Sequence, residues 1–250
     1  MDNLERYLKA HPSLERRNAA LPMQYNCPEC CDTGWIMVDD GGHGTAKRCK
    51  CMAADRINAL IKQSELPEEF LNKDFNMYED RNHPQLIAAK NKAVRYVHDF
   101  KRIENERGNS ILFCGQVGSG KTHLGTAICR RLIGNGIAVR YMPYRNTVTK
   151  IKQIVTDEAS YGNELDKYKK SRVLYIDDLY KGKLTDADIN IIYELVNYRY
   201  MNQLPLIITT EKNIASLLDF DEAIASRVIE MCRGNIVQFK GKELNYRMIL

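Results

Sequence analysis

The 250-residue sequence has no apolar run approaching the roughly twenty residues that cross a bilayer. Its first residues, Met1-Asp2-Asn3-Leu4-Glu5, have neither the basic nor the apolar region of a secretory signal. Both absences argue against a membrane protein and place the chain in the cytoplasm. There is also no internal repeat and no low-complexity tract, which sets aside solenoids and tandem arrays. With 44% hydrophobic and 28% charged residues, the composition excludes intrinsic disorder and allows one main core plus a small appendage. Strong charge of one sign is missing too. Residues 1–65 hold nine Lys/Arg and nine Asp/Glu, so the formal net charge of +5 belongs to the remainder. So small a surplus permits contact with a phosphate backbone without requiring it.

The eight cysteines are unevenly spread. Cys114, Cys129 and Cys232 sit in apolar surroundings and read as core residues. Cys27-Pro28-Glu29-Cys30 and Cys49-Lys50-Cys51 form two close pairs flanking a Gly-rich turn at Gly41-Gly42-His43-Gly44. In an intracellular chain such pairs point away from disulfides. Each tight turn presents two thiolates, and the intervening loop brings the pairs together, which suits tetrahedral Zn²⁺. Cys27, Cys30, Cys49 and Cys51 are the expected ligands; Cys31 and His43 stay open as substitutes for one of them. A segment this short has little core without a metal.

The apolar run Ile111-Leu112-Phe113-Cys114 leads into Gly115, Gln116, Val117, Gly118, Ser119, Gly120, Lys121 and Thr122, followed by His123 and a helical pattern. This is G-x-x-x-x-G-K-T, a phosphate-binding loop. Its glycines let successive backbone N–H groups curl around phosphate oxygens, and the following helix aims its positive end at them. Lys121 then reaches the β- and γ-phosphates, and the Thr122 hydroxyl holds Mg²⁺. About fifty residues on, Arg172-Val173-Leu174-Tyr175-Ile176-Asp177-Asp178 reads as a strand ending in two carboxylates. Asp177 fits the magnesium-organising role and Asp178 the residue that polarises an attacking water. The two motifs together imply a site for ATP and Mg²⁺.

The intervening pattern alternates strands and helices. A helix is expected from about Arg56 to Ser64, broken at Pro67, and another along Leu86, Ala89, Ala93, Val94, Val97 and Phe100. Further expectations are strands over 137–142, 173–176, 204–210 and 235–239, and helices over 148–155 and 186–201, with two short helices before the last strand. Alternation of this kind implies a parallel sheet in a three-layer α/β sandwich. Arg140, Tyr141, Tyr144, Arg145, Lys150 and Lys152 interleave cations with aromatics and form a candidate track for single-stranded DNA.

The order of motifs resembles that of bacterial and phage replicative helicase loaders of the DnaC/DnaI type, AAA+ ATPases related to the IstB transposition helpers. Five separated features carry the likeness from about Cys27 to the end: Cys27-Pro28-Glu29-Cys30 with Asp32-Thr33-Gly34-Trp35; Leu66-Pro67, Phe70, Phe75 and Tyr78; the loop 115–122; Ile176-Asp177-Asp178; and Pro205 to Thr210 with Glu222-Ala223-Ile224-Ala225-Ser226-Arg227. The resemblance implies a zinc-binding, helicase-interacting module over 1–65, a linker over 66–80 contributing Phe70, Phe75 and Tyr78 to the nucleotide pocket, and an AAA+ domain over 81–250. It also implies that Thr210 is a polar sensor, although the family often has Asn where this chain has Glu211. Arg227 matches an arginine finger serving a neighbouring subunit, and Arg247 a second sensor.

On this resemblance the chain is an ATPase whose partners are the hexameric replicative helicase, gripped by the zinc module and N-terminal residues, single-stranded DNA, and other copies of itself when ATP is bound. Many AAA+ enzymes have Glu in place of Asp178, and the shorter side chain implies slow hydrolysis, stimulated by partner or DNA. The short N-terminal module leans toward a phage origin. The main alternative keeps the fold and changes the partner: an IstB-like regulator of a transposase on duplex DNA, against which the cysteine cluster stands. A small-molecule kinase lacks support, because no arginine-rich lid is evident. A module that binds ATP without hydrolysing it remains open because of Asp178.

Overall fold

The computed structural model describes residues 25–39 and 44–248. His43 and the N-terminal residues to which helicase contact was ascribed lie outside that range. The chain divides into two compact units, residues 1–55 and 56–250.

In the first unit, β1 (Trp35–Asp39) and β2 (Gly44–Arg48) form an antiparallel hairpin in the register Trp35↔Arg48, Met37↔Ala46. The Asp32 carboxylate accepts from the backbone N–H groups of Asn26 (3.0 Å) and Cys27 (2.8 Å), which fixes the turn before the hairpin. Helix α1 (Lys50–Ser64) starts directly after Cys49, earlier than expected, so Cys51 belongs to its first turn.

The second unit is built on a five-stranded parallel sheet, β3 (Ile111–Gly115), β4 (Val139–Pro143), β5 (Val173–Asp177), β6 (Leu206–Thr210) and β7 (Ile236–Phe239), in the order β4-β5-β6-β3-β7. Four of these strands are buried at nearly every position, as parallel strands covered on both faces should be. Their period of two sorts the side chains cleanly. Phe113, Tyr141, Val173, Tyr175 and Ile207 face one core cluster with α3 (Pro84–Ile103) and α4 (Lys121–Gly134), against which Ile57, Leu60 and Ile61 of α1 also pack. Leu112, Met142, Leu174, Ile176 and Ile208 face the other, with α5 (Tyr144–Gln153), α6 (Glu158–Lys169), α7 (Asp186–Met201), α8 (Ile214–Phe220) and α9 (Glu222–Met231). Helices on both faces of a parallel sheet make this the three-layer α/β fold expected. Cys114, Cys129 and Cys232 are fully buried.

Local chemistry sets the boundaries. Pro84 opens α3 where a missing N–H costs nothing, and the His83 ring caps it. Thr185 and Asp188 form a reciprocal capping box at α7, and Asp157, Asn213 and Asp221 cap α6, α8 and α9. Helix α5 begins at Tyr144 and ends at Gln153, ahead of the expected 148–155. Helix α6 was not expected at all: it carries Gly162 and buries only Glu164, Leu165 and Tyr168, too sparse an apolar stripe to show as periodicity. Its C-terminal end is tied to the sheet by Arg199, whose fully buried guanidinium donates to the carbonyls of Tyr168, Lys169, Ser171 and Pro205. Burial pushes that guanidinium down to about 9. Between α1 and α3 lie a one-turn α2 (Glu68–Leu71) and a 3₁₀ turn at Phe75–Met77 capped by Asp74. Among the described residues no helix is long and apolar enough to cross a membrane.

Candidate functional site

Strand β3 ends in Gly115, and the loop to α4 closes on itself through Lys121. The Lys121 ammonium donates to the carbonyls of Gly115 (3.0 Å) and Gln116 (2.6 Å), and burial holds it below its ordinary pKa. Gly118 and Gly120 adopt φ of +72° and +83°, and Gly120 is the residue from which α4 springs. A Cβ on Gly120 would meet Tyr78 Cε2 at 2.5 Å, so both backbone angle and packing require glycine there.

A cavity of about 350 Å³ opens over this loop. One wall is the stretch from Val117 to His123; the linker supplies Lys73, Met77, Tyr78 and Glu79; the C-terminal segment supplies Leu244, Tyr246 and Arg247; and Asp178, Lys181 and Glu211 close the far side. Linker and C-terminal segment are physically bound to the loop. The Tyr78 hydroxyl donates to Ser119 O (2.9 Å), its ring packs edge-on to His123, and Tyr246 N donates to Gly118 O (3.0 Å). Arg81 donates to the carbonyls of Glu243 and Leu244, joining the two walls. Of the three linker aromatics only Tyr78 lines the cavity; Phe75 is buried core and Phe70 packs edge-on against Tyr141.

Because β6 lies between β3 and β5, its threonines flank the carboxylates of β5. Asp177 is 7% exposed and accepts four hydroxyl hydrogen bonds: Thr209 (2.6 Å), Tyr175 (2.8 Å) and Thr122 (3.0 Å) on Oδ1, and Tyr141 (3.2 Å) on Oδ2. Thr122 and Asp177 therefore meet as the sequence implied, and a hydroxyl beside a carboxylate is the hard oxygen donor set that Mg²⁺ takes. Asp178 stands apart, with φ of +57°, a backbone conformation that costs a non-glycine residue energy. Its N–H donates to Thr209 Oγ1 (2.9 Å), and its carboxylate pairs with Lys181 (2.7 Å), which also reaches Glu211 (3.1 Å).

Thr210 is not brought to the cavity. It is fully buried, and its hydroxyl donates to Leu179 O (2.8 Å). Thr209, one residue earlier, faces the carboxylates because the strand period turns alternate residues to opposite faces. Arg247 lines the cavity and is exposed. Arg227 does not line it. On α9 its Nε donates to Asn197 Oδ1 (3.1 Å) and its guanidinium stacks 5.3 Å from the Tyr193 ring centroid. The expected DNA track is not a free cationic stripe: Tyr141 and Tyr144 are buried, Arg140 pairs with Glu65, Lys150 with Glu164 (2.8 Å) and Lys152 with Asp188 (2.6 Å). Arg145 alone of those cations is exposed without a carboxylate recorded beside it among the described residues.

Sequence reading missed Tyr175, Thr209 and Lys181, and gave Tyr141 a place in the DNA track rather than beside Asp177. A signal for Tyr175 existed, two residues before Asp177 and hence on its face of the strand. Tyr141 and Thr209 needed the register that pairs Tyr141 with Tyr175 and places Thr209 beside Asp177.

In the first unit, the sulfurs of Cys27, Cys30, Cys49 and Cys51 all lie within 4.8 Å of one another, with Cys27–Cys49 at 3.6 Å and Cys30–Cys51 at 3.4 Å. Four thiolates around tetrahedral Zn²⁺ stand about 3.8 Å apart, so the set fits that ion. Gly34 N donates to Cys30 Sγ, a backbone bond of the kind that orients a ligand sulfur. Burial works to raise the Cys30 thiol, and the Gly34 N–H and surrounding thiols lower it to about 7. Cys31 is exposed, with φ of +49°, and lies outside the cluster.

Residues 47–247 match the family described as IstB-like ATP binding protein. The phage-like element PBSX protein XkdC of Bacillus subtilis (strain 168) is 36% identical over 234 residues, covering 90% of this chain and 87% of that protein. Among solved structures, the DnaC helicase loader is similar with a TM-score of 0.59 at 24% identity, over 70% of this chain and 100% of that one. DnaI is similar with a TM-score of 0.57 at 22% identity, over 71% and 93% of the two chains. At these identities the two structures speak for the fold.

Proposed function

The chain belongs to the IstB-like ATP-binding protein family, and from that premise we propose that it is an ATP-dependent loader that binds the hexameric replicative DNA helicase and helps place it on single-stranded DNA. The observation that carries the reading is the cavity over the phosphate loop, walled by linker and C-terminal segment on a helicase-loader fold. A nucleotide held there touches three separated parts of the chain, so its binding and hydrolysis can be felt at a distance.

In this reading residues 1–65 are a zinc-dependent module that grips the helicase, residues 66–80 a linker shaping the nucleotide pocket, and residues 81–250 the ATPase domain. Backbone N–H groups of 115–123 and the Lys121 ammonium take the phosphates. Thr122 and Asp177 would hold Mg²⁺, which would supply positive charge against the nucleotide's phosphates. Asp178 orients the attacking water, slowly, because its carboxylate is shared with Lys181 and its side chain is short. Arg247 reaches the phosphates from the cavity wall. Arg227, held away from the cavity of its own chain by Asn197 and Tyr193, suits the site of a second copy once ATP-bound subunits assemble side by side. Thr209 supplies the polar contact between the two nucleotide motifs that was assigned to Thr210.

One observation favours the second reading, a transposase regulator on duplex DNA: the family that matches residues 47–247 is the IstB-like one, although Cys27 and Cys30 fall outside that match. The two readings part in one experiment. The tagged protein is isolated from its host cells with ATP present, beside the Cys27→Ser/Cys30→Ser variant, and co-purifying proteins are identified by mass spectrometry. Recovery of the replicative helicase, lost in the cysteine variant, is the expected result. Recovery of a transposase, or of no replication protein, overturns the loader reading.

A further inference from the structure

Four hydroxyls converge on the Asp177 carboxylate, two from threonines and two from tyrosines. Three of these bonds fall on Oδ1 and one on Oδ2, so the carboxylate is gripped at both oxygens while an acceptor site on Oδ2 stays open. Tyr175 is completely buried beneath the first turn of α4, its oxygen 2.8 Å from Asp177 Oδ1 and 3.4 Å from Thr122 O. Its single proton serves the charged and nearer acceptor. Helix α4 is shaped to admit it: a Cβ on Gly125 would lie 2.7 Å from both Cζ and the hydroxyl oxygen of Tyr175. Tyr141, its cross-strand partner, lies tilted against it with ring centroids 5.4 Å apart and reaches Oδ2.

Burial alone does not explain this convergence. On the other face of the sheet Tyr144 and Tyr180 are also buried, and their hydroxyls find no hydrogen-bond partner among the described residues. The chain thus tolerates a buried, unaimed phenol, yet both tyrosines beside Asp177 are aimed at it.

We propose that the Tyr175 and Tyr141 hydroxyls are positioning groups that hold the Asp177 carboxylate in the orientation from which it serves the divalent cation of a bound nucleotide. This rests on the nucleotide reading of the same site and adds two residues to it. Partners that orient a metal-binding carboxylate set metal affinity while leaving the remaining contacts of the ligand untouched. The two tyrosines accordingly govern how much Mg²⁺ the protein needs, and leave Mg²⁺-free nucleotide binding alone.

The test uses the purified full chain and a fluorescent N-methylanthraniloyl ATP, titrated first in EDTA and then, at fixed nucleotide, with Mg²⁺. Tyr175→Phe and Tyr141→Phe keep ring and packing and remove only the hydroxyl; their folding is checked by thermal melting. Expected are EDTA affinities within about twofold of the unsubstituted protein and a Mg²⁺ midpoint raised roughly tenfold in Tyr175→Phe. The shift should be smaller in Tyr141→Phe, whose bond is longer. In the Asp177→Asn background neither tyrosine change should move the midpoint further. Unchanged midpoints in both folded variants overturn the proposal, as does a loss of nucleotide affinity in EDTA equal to the loss with Mg²⁺. Failure of the unsubstituted protein to bind the nucleotide overturns the nucleotide reading itself; Mg²⁺-dependent binding that ignores both tyrosines overturns only the proposal.

Discussion

Among the described residues up to Asp55 only Cys30, Gly34 and Cys49 are buried, and every position of β2 is exposed; in the second unit apolar clusters cover both faces of a five-stranded sheet. The first region has almost no apolar area to remove from water and depends on four converging thiols. The second has two apolar clusters, each contributing about 25 cal/mol per Å² of apolar surface buried. The same chain thus holds itself together in two ways, and the two should fail under different insults. The single tryptophan makes this measurable, because Trp35 lies in β1 with the Arg48 guanidinium 5.7 Å from its ring centroid, while the second unit has no tryptophan.

The largest effect should come from metal removal. Structural zinc in small domains contributes on the order of 10 kcal/mol of folding free energy. Stripping the protein with a strong chelator, or making Cys27→Ser/Cys30→Ser, is expected to change Trp35 emission as the hairpin is lost. The circular-dichroism melting temperature of the α/β unit should move by less than about 3 °C. Collapse of both signals together would break the division, and an unchanged Trp35 signal would show that the thiols hold no structural metal.

The converse comes next in size. Phe113 is fully buried on β3 and faces the α3–α4 layer. Phe113→Ala should cost about 3–5 kcal/mol, lowering the melting temperature of the second unit by roughly 10 °C. Trp35 emission at temperatures below that melt should match the unsubstituted protein. If it changes in step, the hairpin borrows its stability from the sheet.

What could be read from the sequence follows a similar division between local and distant causes. The phosphate-type loop, the paired cysteines and the acidic strand tip are legible because each is written in consecutive residues whose types answer to one local requirement. The fold class was legible for the same reason, since β3, β5 and β6 each open with three or more consecutive apolar residues. That Thr209 and not Thr210 faces Asp177 was not legible, because which of two adjacent threonines does so depends on the pairing of β6 with β5. The ion pairs of Arg140, Lys150 and Lys152 were not legible because their carboxylates, Glu65, Glu164 and Asp188, lie on other elements of the fold. Helix α6 escaped notice because Arg199, thirty residues away, secures an element whose own apolar stripe is thin.

The smallest expected effect asks whether the linker is part of the sheet unit's stability or merely rests on it. The Asp74 carboxylate accepts from Phe75 N (2.6 Å) and pairs with Arg130 (2.9 Å) and Arg131 (2.9 Å) of α4, while its carbonyl meets His123 Nε2 (2.8 Å) beside the phosphate loop. Partial burial works to raise the carboxyl, and the Arg131 bond, the Phe75 N–H and the charges of both arginines outweigh it, leaving it below its ordinary value. A carboxyl depressed in the folded state stabilises fully above its unfolded value, near pH 4, and loses that contribution as pH falls through the folded value. The arginines are about half exposed, so the contribution should be about 1 kcal/mol or less after solvent screening. Urea unfolding of Asp74→Asn should therefore show a deficit of that size at pH 7 that shrinks steadily below pH 4. A deficit that persists at pH 3 would assign the role of Asp74 to its backbone contacts and capping shape, and none at pH 7 would mean that the linker rests on α4 without stabilising it.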